Sequence, residues 1–179
     1  MADLRRLFSR HNLARGRRRL RRAAYPLVGR WRMVVVPLLE PQHTRHALDL
    51  AARLAFERGT RLLLLAPLYV DWELPLNAHF REEEAALRDE LKRERAIAES
   101  YGVSSHTQIV RTRPGELGRG VAEAASEVNA SLIVLGAAVD SQRGFRRPFS
   151  RDVWSVLNDP PCPVMVATGE PRKAERAAA

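Results

Sequence analysis

Four arginines are concentrated in one short stretch of the chain, between residues 143 and 151. They surround a glycine, Gly144, and precede an apolar segment with helical spacing. A guanidinium group can bind a phosphate or a carboxylate through two parallel hydrogen bonds. The amides at a helix N-terminus also favour a bound anion. The stretch therefore predicts an anion-binding loop; the alternatives are a solvated basic loop or one docked on an acidic protein surface. Its arginines are Arg143, Arg146, Arg147 and Arg151.

The remaining reactive side chains predict neither a metal site nor a nucleophile. His43 and His46 could share one helix face, but no third ligand stands at a matching spacing. Cys162 is the single cysteine, which excludes an internal disulfide, and its place between two prolines predicts a small buried hydrophobe. The sequence contains no nucleophile elbow, Walker loop or full dinucleotide fingerprint. We therefore expect a protein that binds rather than catalyses, with no catalytic residue and no metal.

Apolar runs alternate with helical segments along most of the chain. The runs are continuous rather than alternating, which is typical of strands buried on both faces of a parallel sheet. Right-handed crossovers then give an α/β, Rossmann-like fold with helices on both faces and a ligand at the carboxyl ends of the strands. The predicted strands are 33–39, 62–65, 107–111, 131–135 and 164–167. The predicted helices are 44–58, 78–100, 116–128 and 149–157.

Two local signals refine these boundaries. Thr44 is a plausible N-cap of the first helix, and Gly59 ends that helix. Pro161 and Pro163 withhold backbone donors at the start of the fifth strand, so we expect this strand to lie at a sheet edge. An open edge leaves room for a partner strand, and we expect a homodimer through the last strand.

The net charge of +9 lies almost entirely in the N-terminal part of the chain. Residues 1–32 hold eleven arginines and one acid, Asp3, whereas the 19 basic and 20 acidic side chains of the remainder nearly cancel. The segment predicts a solvated tail, or an arm that binds an acidic protein or an anionic membrane surface. Non-specific nucleic-acid binding is the weaker alternative, because no helix-turn-helix or aromatic stacking surface accompanies it.

These patterns divide the chain into three parts: a basic arm over 1–31, an α/β domain over 32–168 and a disordered tail over 169–179. No run of eighteen apolar residues could span a bilayer, and the basic N-terminus lacks the apolar core of a secretory signal. We therefore expect a cytoplasmic protein, with the arm as its one route to a peripheral membrane contact.

Four segments of the α/β domain resemble the universal stress protein family. Residues 130–136 read ASLIVLG and are similar to that family's fourth strand, and Pro161-Cys162-Pro163-Val164 resembles the approach to its last strand. Val34-Val35-Val36-Pro37 looks like its first strand, and Arg113-Pro114-Gly115-Glu116 looks like a turn before one of its helices. The resemblance implies five parallel strands in the order 3-2-1-4-5, homodimers, a role in stress responses and, in some members, ATP binding.

The family's ATP motif, G-x2-G-x9-G-[S/T], is incomplete here. Gly136 matches the first glycine, but Val139 and Phe149 stand at the next two, ahead of Ser150 at the hydroxyl position. Counting back from Pro163 instead places the last two motif positions on Ser150 and Arg151, which indicates an insertion in the loop. The acidic residue that many members place after the first strand is replaced by the run 37–39. Valine at a positive φ is strained by about 1–3 kcal/mol, so the loop must have another shape. The candidate ligand-binding residues are Pro37, Leu38, Gly136, Val139, Arg143, Gly144, Arg146, Arg147, Ser150 and Arg151.

Two functions follow from these observations. The first is a non-catalytic regulatory or stress-response binding module that senses ATP, another nucleotide or another anion at the strand ends. The second is an accessory or structural subunit whose nucleotide site has decayed and which docks on an acidic protein or membrane surface through its arm.

Overall fold

Five parallel strands form one sheet in the order β3-β2-β1-β4-β5 in the computed structural model, which describes residues 31–139 and 148–168. Every neighbouring pair is parallel, as the continuous apolar runs predict, so the expected sheet and its strand order are confirmed. The strands are β1 (Met33–Pro37), β2 (Arg61–Tyr69), β3 (Ser105–Thr112), β4 (Leu132–Gly136) and β5 (Val164–Ala167).

Four helices connect these strands within the described residues. The first two pack on one face of the sheet and the last two on the other, each pair against its own apolar cluster. The helices are α1 (Pro41–Arg58), α2 (Arg81–Ser100), α3 (Leu117–Glu127) and α4 (Arg151–Asn158).

The central strand β1 shows why the apolar run has no alternation. Val34 and Val36 contribute to the cluster beneath α1 and α2, whereas Val35 belongs to the cluster beneath α3 and α4. All three have no exposed surface. Because helices cover both faces, each residue of such a strand must be apolar.

The first helix begins earlier than the sequence signal indicates. Glu40 occupies the N-cap position and Pro41 the first helical position, where its fixed φ suits the helix and its missing N–H leaves nothing unpaired. The prediction of Thr44 as N-cap is therefore wrong. Thr44 lies buried in the first turn, where its hydroxyl donates to the Glu40 carbonyl oxygen at 2.9 Å. Gly59 ends the helix with a left-handed backbone, as predicted.

Two strands differ from the central strand β1, β2 in its length and β5 in its position. β2 continues four residues beyond the partner of the last β1 residue, since Pro37 pairs with Leu65 and β2 ends at Tyr69. β5 lies at the edge of the sheet, which confirms the expectation drawn from its flanking prolines. The greater part of the predicted basic arm (1–31), most of the arginine-rich stretch 143–151, here called the arginine loop, and the predicted tail (169–179) lie outside the described residues.

Candidate functional site

The switch point of the sheet lies between β1 and β4, where the strand order reverses direction. Pro37 ends β1 and is buried. The next residue, Leu38, is also buried, and its N–H donates to the Leu65 carbonyl oxygen at 2.8 Å. Gly136 ends the adjacent strand β4. These three predicted site residues therefore form the floor of the crevice in which α/β sheets bind ligands.

Gly136 is required by packing against the first turn of α1. A Cβ built on it would lie 2.3 Å from the His43 carbonyl oxygen and 3.0 Å from the Thr44 nitrogen. Both neighbours are backbone atoms, so no change of rotamer could make room. The glycine that matches the family motif thus allows a helix backbone to approach the end of β4.

The first amides after Gly136 already have partners within the protein. The Ala137 N–H donates to the Ala167 carbonyl oxygen at 3.2 Å. The Ala138 N–H donates to a carboxylate oxygen of Glu40 at 3.0 Å. The Glu40 carboxylate therefore accepts the hydrogen bond of a loop N–H at the switch point. A phosphate oxygen bound there would accept the same kind of bond.

A second bond crosses the carboxyl edge of the sheet. The Tyr69 hydroxyl, at the end of β2, donates to an Asp152 carboxylate oxygen in the first turn of α4 at 2.6 Å. Burial above all, and then the bond to Asp152 and its negative charge, raise the pKa of Tyr69. Since β1 lies between β2 and β4, the bond joins segments from either side of the switch point.

The Asp152 carboxylate also lies where α4 favours negative charge. It belongs to the first turn of the helix, whose free amides and dipole stabilise an anion. Ser150 is the N-cap, and its hydroxyl oxygen accepts from the Val153 N–H at 3.5 Å. Two features of the crevice could bind an anion, and each already has a carboxylate of the protein. Glu40 accepts from the loop amide, and Asp152 lies at the start of α4.

The other described candidates have different surroundings. Val139 is exposed and does not adopt a positive φ; of the non-glycine residues that the structure describes, only Asn129 does. The loop therefore departs at this position from the shape that a second motif glycine would permit. The Arg151 guanidinium lies against Gly115, in the turn between β3 and α3, at 2.7 Å from a Cβ built there. Arg143, Gly144, Arg146 and Arg147 lie outside the described residues.

Three crevice residues, Glu40, Tyr69 and Asp152, were missed by sequence reasoning. Glu40 directly follows the run 37–39, which replaces the acidic residue that many family members have after the first strand. It could therefore have been noticed as an acid just beyond that run. No local signal joins Tyr69 to Asp152, because 83 positions separate them.

Reactive groups elsewhere offer little chemistry. Cys162 is partly buried, and burial raises the pKa of its thiol to about 11, so the thiol is neutral near pH 7. Within 31–139 and 148–168, no three histidine, cysteine or acidic side chains are grouped so as to hold a metal ion. In the same residues, no helix is both long enough and apolar enough to cross a bilayer.

Comparison with known proteins identifies the fold as that of a known family. The profile of the universal stress protein family matches residues 30–168. No curated protein matches the chain significantly.

Three solved structures illustrate the likeness. A universal stress protein from Archaeoglobus fulgidus in complex with dAMP is 16% identical, with a TM-score of 0.60 over 77% of this chain and 98% of that one. A protein of the family from Burkholderia pseudomallei is 26% identical, with a TM-score of 0.53 over 75% and 94%. A universal stress protein in complex with cAMP is 16% identical, with a TM-score of 0.56 over 78% and 98%.

The fold, an α/β sheet with a crevice at its switch point, and the extent of the profile match lead to one assignment. The chain belongs to the universal stress protein family. The resemblance recognised in the sequence is thereby confirmed.

Proposed function

We propose that this protein is a non-catalytic stress-response module of its family that acts by binding another macromolecule, and that its nucleotide site has decayed. The bond between Glu40 and the Ala138 N–H carries the proposal. A nucleotide phosphate would have to displace this carboxylate from the amide. It would also meet the negative charge of Asp152 at the start of α4, which like-charge repulsion disfavours.

A nucleotide sensor is the second candidate. It is supported by the two relatives solved with dAMP and with cAMP, and by Ser150, which keeps a hydroxyl at the helix start. In this case the ligand competes with Glu40 for the loop amide. Competition from the Glu40 carboxylate, rather than the lack of a binding surface, would then limit the affinity of the protein for a nucleotide.

Calorimetric titration of the full chain with ATP, dAMP and cAMP separates the two functions. We expect no heat of binding up to millimolar nucleotide, both for the protein and for Glu40→Gln. The sensor predicts instead that Glu40→Gln binds a nucleotide about tenfold more tightly than the unchanged protein, because the competing charge is gone.

Glu57→Gln is the matched control, since Glu57 is an exposed acid in the last turn of the same helix. It should leave any affinity unchanged. Submillimolar binding by the unchanged protein would contradict a decayed site.

We further propose that two copies associate through β5. Its outer edge has no strand partner among the described residues, and Met165 is 38% exposed on it. An edge of this kind accepts a second strand through free backbone groups, with side-chain contacts adding specificity.

A further inference from the structure

The connection between β2 and α2 is a built loop that presents apolar side chains to solvent. We call residues 71–80 the β2–α2 loop. Trp72 is 65% exposed, Leu74 42% and Leu76 45%, three large apolar groups within five positions. Exposed apolar groups concentrated in this way mark interaction surfaces.

Two arginines from the end of β3 hold the backbone of this loop. Arg111 donates to the carbonyl oxygens of Leu76 at 3.0 Å and Ala78 at 2.7 Å. Arg113 donates to Leu74 at 2.6 Å and also to Asp71. Charged donors therefore fix the backbone of the loop, while Trp72, Leu74 and Leu76 stay exposed on it.

The same arginines also hold side chains next to the loop. The Arg113 guanidinium carbon lies 5.5 Å from the centroid of the Trp72 ring, within cation–π range. Arg111 pairs with Glu84 in the first turn of α2. A surface held in one conformation loses little entropy when a partner binds, which favours a docking role.

The charges that face solvent around the loop are mostly negative. Asp71, Glu73, Glu82 and Glu83 are exposed. None of them forms an ion pair within 31–139 and 148–168. Arg81 is the exposed cation among them, because Arg111 and Arg113 direct their guanidinium groups at carbonyl oxygens and at Glu84. The fitting partner is therefore a segment that combines apolar side chains with positive charge.

The chain itself contains such a segment. Residues 1–30 hold ten arginines against one acid, and Leu4, Leu7 and Phe8 recur at the spacing of one helix face. We infer that this segment docks on the β2–α2 loop of its own molecule. Its apolar side chains then lie against Trp72, Leu74 and Leu76, and its arginines lie against the four exposed acids around the loop. The inference does not depend on whether the crevice accepts a nucleotide.

The length of the segment permits this contact. Trp31 precedes β1 at the amino edge of the sheet, whereas the loop follows β2 at the carboxyl edge. The nine residues of β2 span about 30 Å between these edges. Fifteen extended residues reach about 50 Å, which leaves the first half of the segment free to dock.

The test uses the full chain with a photoreactive benzoylphenylalanine in place of Leu74. We expect illumination of a dilute sample to give a cross-linked monomer in which mass spectrometry locates the second site within residues 1–30. Asp71→Lys combined with Glu73→Lys should lower this yield to about a fifth or less, because two attractions become repulsions. Glu57→Lys combined with Glu127→Lys is the matched control, because both acids are exposed and neither forms an ion pair within the described residues; it should leave the yield unchanged.

Four results would overturn the inference. They are an absent cross-link, a cross-link to 140–147 instead of 1–30, a covalent dimer as the product, and a yield that the loop charge reversal leaves unchanged. The dimer would assign the loop to the arm of a second copy. A cross-link to 140–147 would assign it to the arginine loop.

Discussion

Replacement of Gly136 by alanine tests whether this glycine serves packing between β4 and α1. The new Cβ would lie 2.3 Å from the His43 carbonyl oxygen and 2.5 Å from its carbon. Unstrained contacts between such atoms are about 3.5 Å, so the first turn of α1 would have to move outward by about 1 Å. The move would open a gap over neighbouring residues of α1 that have no exposed surface, Ala47 and Leu48.

The expected loss of stability follows from that displacement. A gap of up to about 1 Å forfeits a quarter to a half of each dispersion contact, and overpacked cores lose about 1–3 kcal/mol. Because both contacting groups are backbone, we expect the upper end, about 3 kcal/mol. With an m-value of about 2 kcal/mol per M, the urea midpoint should fall by about 1.5 M.

Gly59→Ala is the control for this experiment. Gly59 has a φ of +59°, but a Cβ there would meet no atom within 4 Å. Its substitution should therefore bring only the strain of a left-handed alanine, about 1 kcal/mol. If Gly136→Ala were no more destabilising than Gly59→Ala, the contact with α1 would not be the reason for the glycine.

Three other predictions concern side chains outside that contact. Tyr69→Phe should destabilise the protein by about 1 kcal/mol through loss of the bond to Asp152, and equal unfolding midpoints would contradict this. Because the pKa of Tyr69 is raised above its usual 10.0, this contribution should be lost as the pH rises past 10, and urea unfolding at pH 9 and 11 should show the difference shrinking. Burial raises the pKa of Glu94, so Glu94→Gln should melt at a higher temperature than the unchanged protein at pH 7 but not below pH 4.5; a constant difference would refute this. Met165→Asp should convert the proposed β5 dimer into monomers in sedimentation experiments, whereas an unchanged mass would argue against association through that edge.

The positions of the core elements followed from local pattern. The strand 131–135 was expected from its apolar run and is observed as Leu132–Gly136, and the edge position of β5 was expected from Pro161 and Pro163. These signals work because burial between two helix layers excludes polar residues from a central strand. Helix starts were less predictable. Thr44 resembles a cap, but Pro41 had already fixed the first turn.

The candidate site depended on contacts that the sequence does not contain. Val139 and Phe149 showed that the motif was damaged, but not what replaced it. Glu40 and Ala138 are 98 positions apart, and only the pairing of β1 with β4 brings them together. Likewise, Arg113 was recognisable as part of a turn, whereas its hold on the loop before α2 depends on the pairing of β2 with β3.

The sequence by itself determined the family, the sheet and the concentration of positive charge before residue 33. Each of these can be read from residue types that are close together in the sequence. Burial between helices selects apolar runs for the strands, and the arginines before residue 33 lie close to one another along the chain. The tertiary structure decided which groups fill the crevice and which surface is free to bind. A hydrogen bond between distant residues forms only when the sheet places its donor and acceptor about 3 Å apart.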